Sequence, residues 1–178
     1  MTLRFAAAAF GAVLLVACSQ SVPAGNVLTT QGLGNVKVGM TLAEAEKALG
    51  TRLEIGYPND KSCGTGARAD KLDDNVWYML ENGSVARIDI TSEGSHVAKP
   101  AIVTAEGVGA GSTEKAVLDA YRGRVKIQPH PYLENQGHYL VVDDPDHKHG
   151  IIFETDLKVV TSVRAGAYPA LGYIEGCV

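Results

Sequence analysis

The sequence predicts an α+β fold made of two tandem units, each a helix followed by an antiparallel hairpin, with the helices packed on one face of an antiparallel sheet. Two similar helical segments support this prediction, because they begin at Gly39 and Gly111, about 72 positions apart. Two strand–turn–strand patterns follow these segments at a spacing of about 75 positions. With 178 residues, the chain has room for one domain or two small ones.

The composition is that of a folded protein with a small excess of acidic residues. Hydrophobic residues make up 46 % of the chain and charged residues 20 %, and the formal net charge is −4. A general nucleic-acid binder would present a basic patch or stripe to the phosphates. We therefore expect no nucleic-acid partner.

The first 17 residues have the pattern of an export signal. Arg4 gives a positive start, and residues 5–17 form an apolar and small-residue run. The run suits the hydrophobic region of a signal peptide and is too short for a helix that spans a bilayer. It ends in Leu15-Val16-Ala17-Cys18, which resembles the lipobox of bacterial lipoproteins.

The lipobox resemblance implies removal of residues 1–17 and attachment of acyl chains to the sulfur and amine of Cys18. Two or more acyl chains anchor a protein stably, so the membrane becomes a partner through the N-terminus. Ser19 stands where an Asp would favour inner-membrane retention in Gram-negative lipoproteins, so we expect an outer-membrane location facing the periplasm. The alternatives are a Gram-positive surface lipoprotein and an ordinary secretory signal. Residues 18–34 are uncharged and lack helical periodicity, which predicts a lipidated cysteine and a flexible tether.

The cysteines predict one disulfide bond. With Cys18 lipidated, Cys63 and Cys177 are the remaining pair in an oxidising compartment. Cys177 is the penultimate residue, so the bond would hold a terminus that otherwise frays.

Each unit begins with a predicted helix. In unit one, residues 35–100, Thr41 and Glu44 form a T-x-x-E capping box. In unit two, residues 101–178, the helix begins near Thr113, and Gly123 stands where it would end. Apolar residues share one face of each helix: Leu42, Ala45, Ala48 and Leu49 in the first, and Val117, Ala120 and Tyr121 in the second.

Each helix is followed by predicted strands. The first hairpin pairs residues 76–80 with 84–91 around Asn82-Gly83, and the second pairs 151–155 with 159–164. Further strands are predicted over residues 138–142 and 125–128. Strict alternation turns one set of side chains toward the helices, namely Ala86, Ile88, Ile90, Thr161, Val163 and Ala165. It turns the other set toward solvent, namely Val85, Arg87, Asp89, Val160, Ser162 and Arg164.

The opening Val38-Gly39-Met40-Thr41 with Leu49-Gly50, followed by a hairpin, resembles the repeat unit of the β-lactamase inhibitor protein family. It is also similar to the single-unit outer-membrane-assembly lipoproteins of the SmpA/BamE type. Two units resemble the first family, and the lipobox resembles the second. The inhibitor family typically closes a disulfide inside each repeat, whereas each half here holds one cysteine. Neither family's specific partner is carried over, because a fold does not imply a function.

Motifs of known catalytic chemistry are not found in the sequence. It contains no G-x-S-x-G, P-loop, H-E-x-x-H or EF-hand pattern, so we expect no enzyme activity, no cofactor and no metal. Residues 143–149 concentrate possible ligands, and we interpret them as a solvated turn. One alternative is a metal-dependent or hydrolytic envelope enzyme that uses these ligands: Asp143, Asp144, Asp146, His147 and His149. Another is a structural envelope lipoprotein without a discrete site.

The favoured function is a lipid-anchored, non-catalytic binding protein of the cell envelope. It would present a sheet face to a protein partner of unknown identity, as an inhibitor or an assembly accessory. Aromatic and charged side chains mixed on one surface are typical of interface hot spots. The candidate surface residues are Trp77, Arg87, Asp89, Tyr139 and Arg164, with the strand register deciding whether Trp77 or Tyr78 faces outward.

Overall fold

A computed structural model describes residues 24–56, 62–92 and 102–177. The predicted signal over residues 1–17 and the lipidation site at Cys18 lie outside the described residues. The described chain has an α+β fold with two helices, a four-stranded mixed sheet and an eight-stranded antiparallel sheet. Neither helix has the length and apolar composition needed to cross a membrane.

The first helix, α1 (Leu42–Leu49), begins and ends as its local signals predict. The Thr41 hydroxyl accepts a hydrogen bond from the Glu44 backbone, and the Glu44 carboxylate accepts one from the Thr41 backbone at 2.9 Å. Gly50 then ends the helix with a φ of 69°, a left-handed conformation that suits glycine. The predicted capping box is confirmed.

The second helix, α2 (Glu114–Ala120), is capped by Thr113, whose hydroxyl accepts a hydrogen bond from the Ala116 backbone at 3.1 Å. Its C-terminal cap is Tyr121, two residues earlier than the predicted end at Gly123. The ring of this cap residue is buried and packs against Phe153, with the ring centroids 5.6 Å apart.

Two sheets contain all the named strands of the described residues. These strands are β1 (Val27–Thr29), β2 (Gly32–Leu33), β3 (Val36–Lys37), β4 (Leu53–Ile55), β5 (Cys63–Arg68), β6 (Val76–Glu81), β7 (Ser84–Thr91), β8 (Val103–Thr104), β9 (Val125–His130), β10 (Glu134–Asp143), β11 (His149–Thr155) and β12 (Val160–Ala167). The large sheet has the order β4-β5-β6-β7-β12-β11-β10-β9, and the small sheet has the order β3-β2-β1-β8. Both predicted hairpins, β6–β7 and β11–β12, are confirmed, as are the two further strands β9 and β10.

The two halves of the large sheet meet at its centre. There β7 pairs antiparallel with β12, and Asp89 lies opposite Arg164. The large sheet therefore continues from β4 to β9 without an open edge between the halves.

One face of the large sheet, which we call the helix face, carries the main hydrophobic core. The core includes Tyr78, Ile88 and Phe153 from the large sheet, together with Ala45 of α1 and Val117 of α2. Burial of these apolar side chains is the main favourable contribution to the fold. The prediction that the helices pack on one sheet face is confirmed.

The small sheet corrects the tether prediction for residues 18–34. Leu28 of β1 and Leu33 of β2 are buried in the main core, and β1 pairs in parallel with β8. The described part of the segment, residues 24–34, is therefore folded onto the domain. Residues 18–23 lie outside the described part of the chain.

Two β-bulges overturn the strict alternation predicted for the central strands. In β7, Met79 pairs with Arg87 and Leu80 pairs with Val85, so Ala86 is an extra residue. Val85 consequently joins the main core, and Ala86 packs on the opposite face against Met79 and Ala170. The prediction that Val85 faces solvent and Ala86 faces the helices is therefore wrong.

The second bulge lies at the corresponding point of the other hairpin. In β12, Ser162 pairs with Glu154 and Val160 pairs with Thr155, so Thr161 is the extra residue. Val160, rather than Thr161, is buried in the main core. The predicted inward position of Ile88, Ile90, Val163 and Ala165 is confirmed.

The opposite face of the large sheet, the far face, is partly covered by residues 168–177, which we call the C-terminal segment. Leu171 packs against Tyr139, Val141 and Ile152. The segment ends at the predicted disulfide bond between Cys63 and Cys177, whose Cα atoms lie 5.5 Å apart. The disulfide prediction is confirmed, whereas the prediction of an exposed far face is wrong wherever this segment lies.

Candidate functional site

The structure separates the five predicted surface residues into one exposed residue and a covered group. Trp77 is 41 % exposed, whereas Arg87 and Arg164 are each 5 % exposed and Tyr139 is also buried. The Asp89 side chain is partly buried. The prediction of exposure is therefore wrong for Arg87, Tyr139 and Arg164, because the C-terminal segment lies over them.

The two buried arginines hold the C-terminal segment in place. Nη1 of Arg87 donates to the backbone oxygens of Ala170 and Tyr173, each at 2.8 Å. Nη1 of Arg164 donates to the same Tyr173 oxygen at 2.9 Å. Hydrogen bonds from a charged donor are the stronger kind, so these arginines act as structural clamps.

Asp89 and Tyr139 complete the covered group. The Asp89 carboxylate lies 2.9 Å from Nε of Arg87, and the Arg164 guanidinium lies 4.7 Å from the centroid of the Tyr139 ring. Burial raises the pKa of the Asp89 carboxyl, against the lowering effect of the Arg87 guanidinium. Because each charge faces a partner within the molecule, this group is not available to an outside partner.

A histidine network next to the covered group was not predicted from the sequence. Nδ1 of His130 accepts hydrogen bonds from the backbones of Tyr132 and Leu133, each at 3.1 Å. This assigns the proton to Nε2, which donates to the Glu154 carboxylate at 2.9 Å. The other Glu154 oxygen accepts from the Ser162 hydroxyl at 3.2 Å. Both ring nitrogens of His130 are therefore engaged. The Ser162 hydroxyl bonds to the Glu154 carboxylate and not to the His130 ring.

The segment predicted as a solvated turn links β10 to β11. Nitrogen and oxygen atoms of Asp144, Asp146 and His149 that could hold a metal ion lie within 4.8 Å of one another. The Asp144 carboxylate already accepts from the Thr30 hydroxyl at 2.8 Å. The Asp146 carboxylate accepts from the Lys148 backbone at 2.9 Å, which is a turn interaction. Nδ1 of His149 has no hydrogen-bond partner among the described residues.

The remaining ligand candidates of this segment belong to other contacts. The Asp143 carboxylate accepts from Lys126 and from the Tyr168 hydroxyl, each at 2.8 Å. Burial opposes a downward shift, but these hydrogen bonds together lower the pKa of the Asp143 carboxyl. His147 is exposed, and its Nδ1 lies 3.6 Å from Asp143.

The register places Trp77 and Tyr78 on opposite faces of β6. Tyr78 is buried in the main core, and its burial raises the pKa of its hydroxyl to about 12. A cavity of about 130 Å³ beside this ring is lined by Asn35, Arg68 and Asp73, a size suited to a few water molecules. Tyr78 is therefore a core residue, and Trp77 is the outward-facing one.

Trp77 lies beside a second and larger cavity, which we call the Trp77 cavity. Its volume is about 390 Å³, within the range of about 300–1,000 Å³ that is common for ligand pockets. Apolar lining comes from Trp77, Ile55 and Ala67. Charged lining comes from Glu54, Arg68, Lys71, Asp73 and Asp74.

Arg68 is the lining cation that is already paired. Its guanidinium binds Asp70 in a bidentate manner, with Nε at 2.9 Å and Nη2 at 2.7 Å. The hydrogen bond from Arg68 is the main cause of the lowered pKa of the Asp70 carboxyl. Nε of Arg68 also lies 3.7 Å from Asp73. Arg68 is thus a fixed part of the cavity wall.

Comparisons of this chain with protein-family models, with curated proteins and with solved structures found no match.

Proposed function

We propose that this chain is a lipid-anchored, non-catalytic binding protein of the cell envelope that docks a protein partner on the open part of its far face. The observation that carries this proposal is Trp77, which is 41 % exposed beside a cavity of about 390 Å³. Tryptophan is among the residues most enriched at interface hot spots, which lie in well-packed pockets. The rest of the predicted surface is occupied by the C-terminal segment, so docking centres on Trp77.

The envelope location rests on the N-terminal sequence. The lipobox ending at Cys18 supports an acyl anchor, and Ser19 supports an outer-membrane location facing the periplasm. The disulfide between Cys63 and Cys177 is consistent with an oxidising compartment.

We also propose that the two halves are copies of one unit related to the β-lactamase inhibitor protein repeat. Each helix begins with a threonine cap, and the glycine two residues before that cap bonds to the hairpin of the same half. Gly39 donates to the Val85 oxygen at 2.7 Å, and Gly111 donates to the Val160 oxygen at 2.8 Å. Such matched contacts support a repeated unit.

The strand order and the bulges also support duplication. Each half contributes four consecutive antiparallel strands, and the halves join through their last strands, β7 and β12. The extra residues of the two bulges, Ala86 and Thr161, occupy the same place in their hairpins. Bulges are specific features that recur within families, so their match favours a common origin.

Removal of the Trp77 side chain tests the docking proposal. The purified domain should retain one protein from envelope extracts. Trp77→Ala should weaken binding of that purified partner by about 30-fold, as expected for a hot spot of about 2 kcal/mol. Ile127→Ala is the matched control, because Ile127 is also exposed but lies on β9 at the opposite edge of the sheet. A partner held equally by wild type and Trp77→Ala would contradict the docking site. The absence of any saturable partner would favour the structural lipoprotein instead.

The metal-dependent enzyme is the second candidate, and the ligand group at Asp144, Asp146 and His149 is the observation that favours it. If the protein is a non-catalytic binding protein, zinc or copper should bind without defined stoichiometry and leave its melting temperature unchanged. The measurement is calorimetric titration of the metal-free domain. One-to-one binding that His149→Ala abolishes and His147→Ala preserves would favour the enzyme.

A further inference from the structure

We infer that the Trp77 cavity accepts a cationic side chain, arginine or lysine, from an exposed basic segment of the protein partner; this inference rests on the proposed function. The exposed indole of Trp77 supplies the first half of such a site. Tryptophan is the side chain that attracts a cation over its ring face most strongly. Arginine also stacks its planar guanidinium on aromatic rings.

The carboxylates around the indole supply the second half. Three carboxylates line the cavity, from Glu54, Asp73 and Asp74. Glu54 projects from the edge strand β4, and the two aspartates belong to the turn between β5 and β6. Glu54 and Asp74 are exposed and make no ion pair among the described residues.

The two lining cations do not cancel this negative charge. The Arg68 guanidinium is occupied by Asp70, with additional attraction from Asp73. Lys71 is exposed and stands as the competing positive charge at the cavity rim. Among the described residues that line the cavity, two carboxylates without an ion pair against one such ammonium leave an excess of negative charge, which favours a cationic ligand.

The apolar wall fits the stem of such a side chain. Ala67 lines the cavity together with the indole, and Ile55 lines it from β4 while its side chain packs against the main core. Lysine and arginine bury their methylene stems against apolar surface while the charged head remains at the polar rim. An acidic side chain would instead face Glu54 and Asp74, and a purely apolar side chain would cover their carboxylates without pairing them. The chemistry of the cavity therefore favours a basic segment over both.

The experiment uses Trp77 as its own reporter, because Trp77 is the only tryptophan of the chain. The purified domain is titrated with a short arginine-rich peptide, its lysine counterpart and its glutamate counterpart, and indole fluorescence is recorded. We expect a saturable change with the arginine and lysine peptides and none with the glutamate peptide. Raising the salt concentration should weaken binding, because the rim charges are exposed to solvent.

Charge variants separate a specific site from general attraction to an acidic protein. Glu54→Gln combined with Asp74→Asn should lower the affinity of the domain for the arginine-rich peptide about tenfold, as expected for loss of two charge contacts near a surface. Lys71→Gln should raise the affinity for this peptide, because it removes the competing positive charge. The matched control is Asp156→Asn combined with Glu134→Gln, which removes two exposed carboxylates that do not line the cavity, one from the turn between β11 and β12 and one from the start of β10.

Three results would overturn the inference: no saturable response to either basic peptide, equal binding of the glutamate peptide, or equal weakening by the control pair. Its failure is distinguishable from failure of the docking proposal. A natural partner that needs Trp77 but is unaffected by Glu54→Gln with Asp74→Asn leaves docking in place and removes the cationic ligand. A partner whose binding is unchanged by Trp77→Ala contradicts both the docking proposal and the cationic ligand.

Discussion

Replacement of Arg87 by methionine should lower the free energy of unfolding by about 3 kcal/mol, the cost typical of breaking a buried ion pair. The substitution leaves the Asp89 carboxylate without its guanidinium partner and removes the donor to Ala170 and Tyr173. Methionine keeps most of the apolar volume, so the effect reports the charge and the hydrogen bonds. Urea denaturation followed by Trp77 fluorescence measures it.

A matched variant distinguishes burial from charge loss. Arg122 also pairs with an aspartate, Asp119, but its side chain is 81 % exposed. Arg122→Met should therefore cost about 0.5 kcal/mol or less, as surface ion pairs do. Equal losses in the two variants would show that Arg87 does not clamp the C-terminal segment.

The cost of Arg87→Met should also grow with pH. Burial already raises the pKa of the Asp89 carboxyl, and loss of Arg87 removes the largest opposing effect. The folded variant then keeps the Asp89 proton to a higher pH than the denatured chain does. Because the denatured state binds fewer protons between these two pKa values, the free energy of unfolding falls as pH rises through that interval. Denaturation at acidic and neutral pH measures the slope.

Removal of the disulfide bond should have a still larger effect. Cys63→Ser combined with Cys177→Ser should lower the free energy of unfolding by about 4 to 5 kcal/mol, because the bond closes a loop of 114 residues in the denatured chain. Denaturant midpoints of the oxidised wild type and the double variant give the difference. Cys18→Ser is the matched control, since it removes a cysteine and leaves the bond intact.

The same double variant should loosen the end of the C-terminal segment without releasing its start. Ala170 and Leu171 are buried and follow β12 after two residues, so they should stay packed without the bond. Residues after Tyr173 should lose their protection from limited proteolysis. Equal midpoints for both proteins, or uniform loss of protection across the segment, would contradict the assigned role of the bond.

Features with a local signal could be predicted from the sequence. The Thr41–Glu44 capping box and the Asn82-Gly83 turn fix their own backbone geometry, and both are confirmed. The disulfide could be predicted because only Cys63 and Cys177 remained to pair. In each case the determining residues are few, and the chemistry leaves little choice.

Features that depend on distant partners could not be predicted. The strands β1 and β2 are two or three residues long and owe their place to β8 and the main core. The bulge at Ala86 shifts the alternation by one residue, so Val85 and Ala86 lie on the faces opposite to those predicted, whereas Ile88 and Ile90 keep theirs. The covering of Arg87 and Arg164 depends on the C-terminal segment, which has no helical or strand periodicity.

The candidate site shows the same division. The sequence predicts one outward-facing aromatic, Trp77 or Tyr78, and the strand register of the structure assigns that position to Trp77. The carboxylates beside it come from β4 and from the turn before β6, and only the tertiary fold brings Glu54 and Asp74 to the same cavity. Sequence reasoning therefore found the aromatic half of the site and missed the charged half.

The pairing of Asp89 with Arg164 has a consequence for the proposed duplication. These two residues hold the same position in their respective halves, at the point where the antiparallel strands β7 and β12 pair. In a homodimer of a single unit, identical residues would face each other across the two-fold axis. Two aspartates or two arginines would then repel one another. Under the proposed duplication, fusion of two copies removes that restriction, since each copy can then mutate independently, and either half expressed separately should not self-associate through this strand.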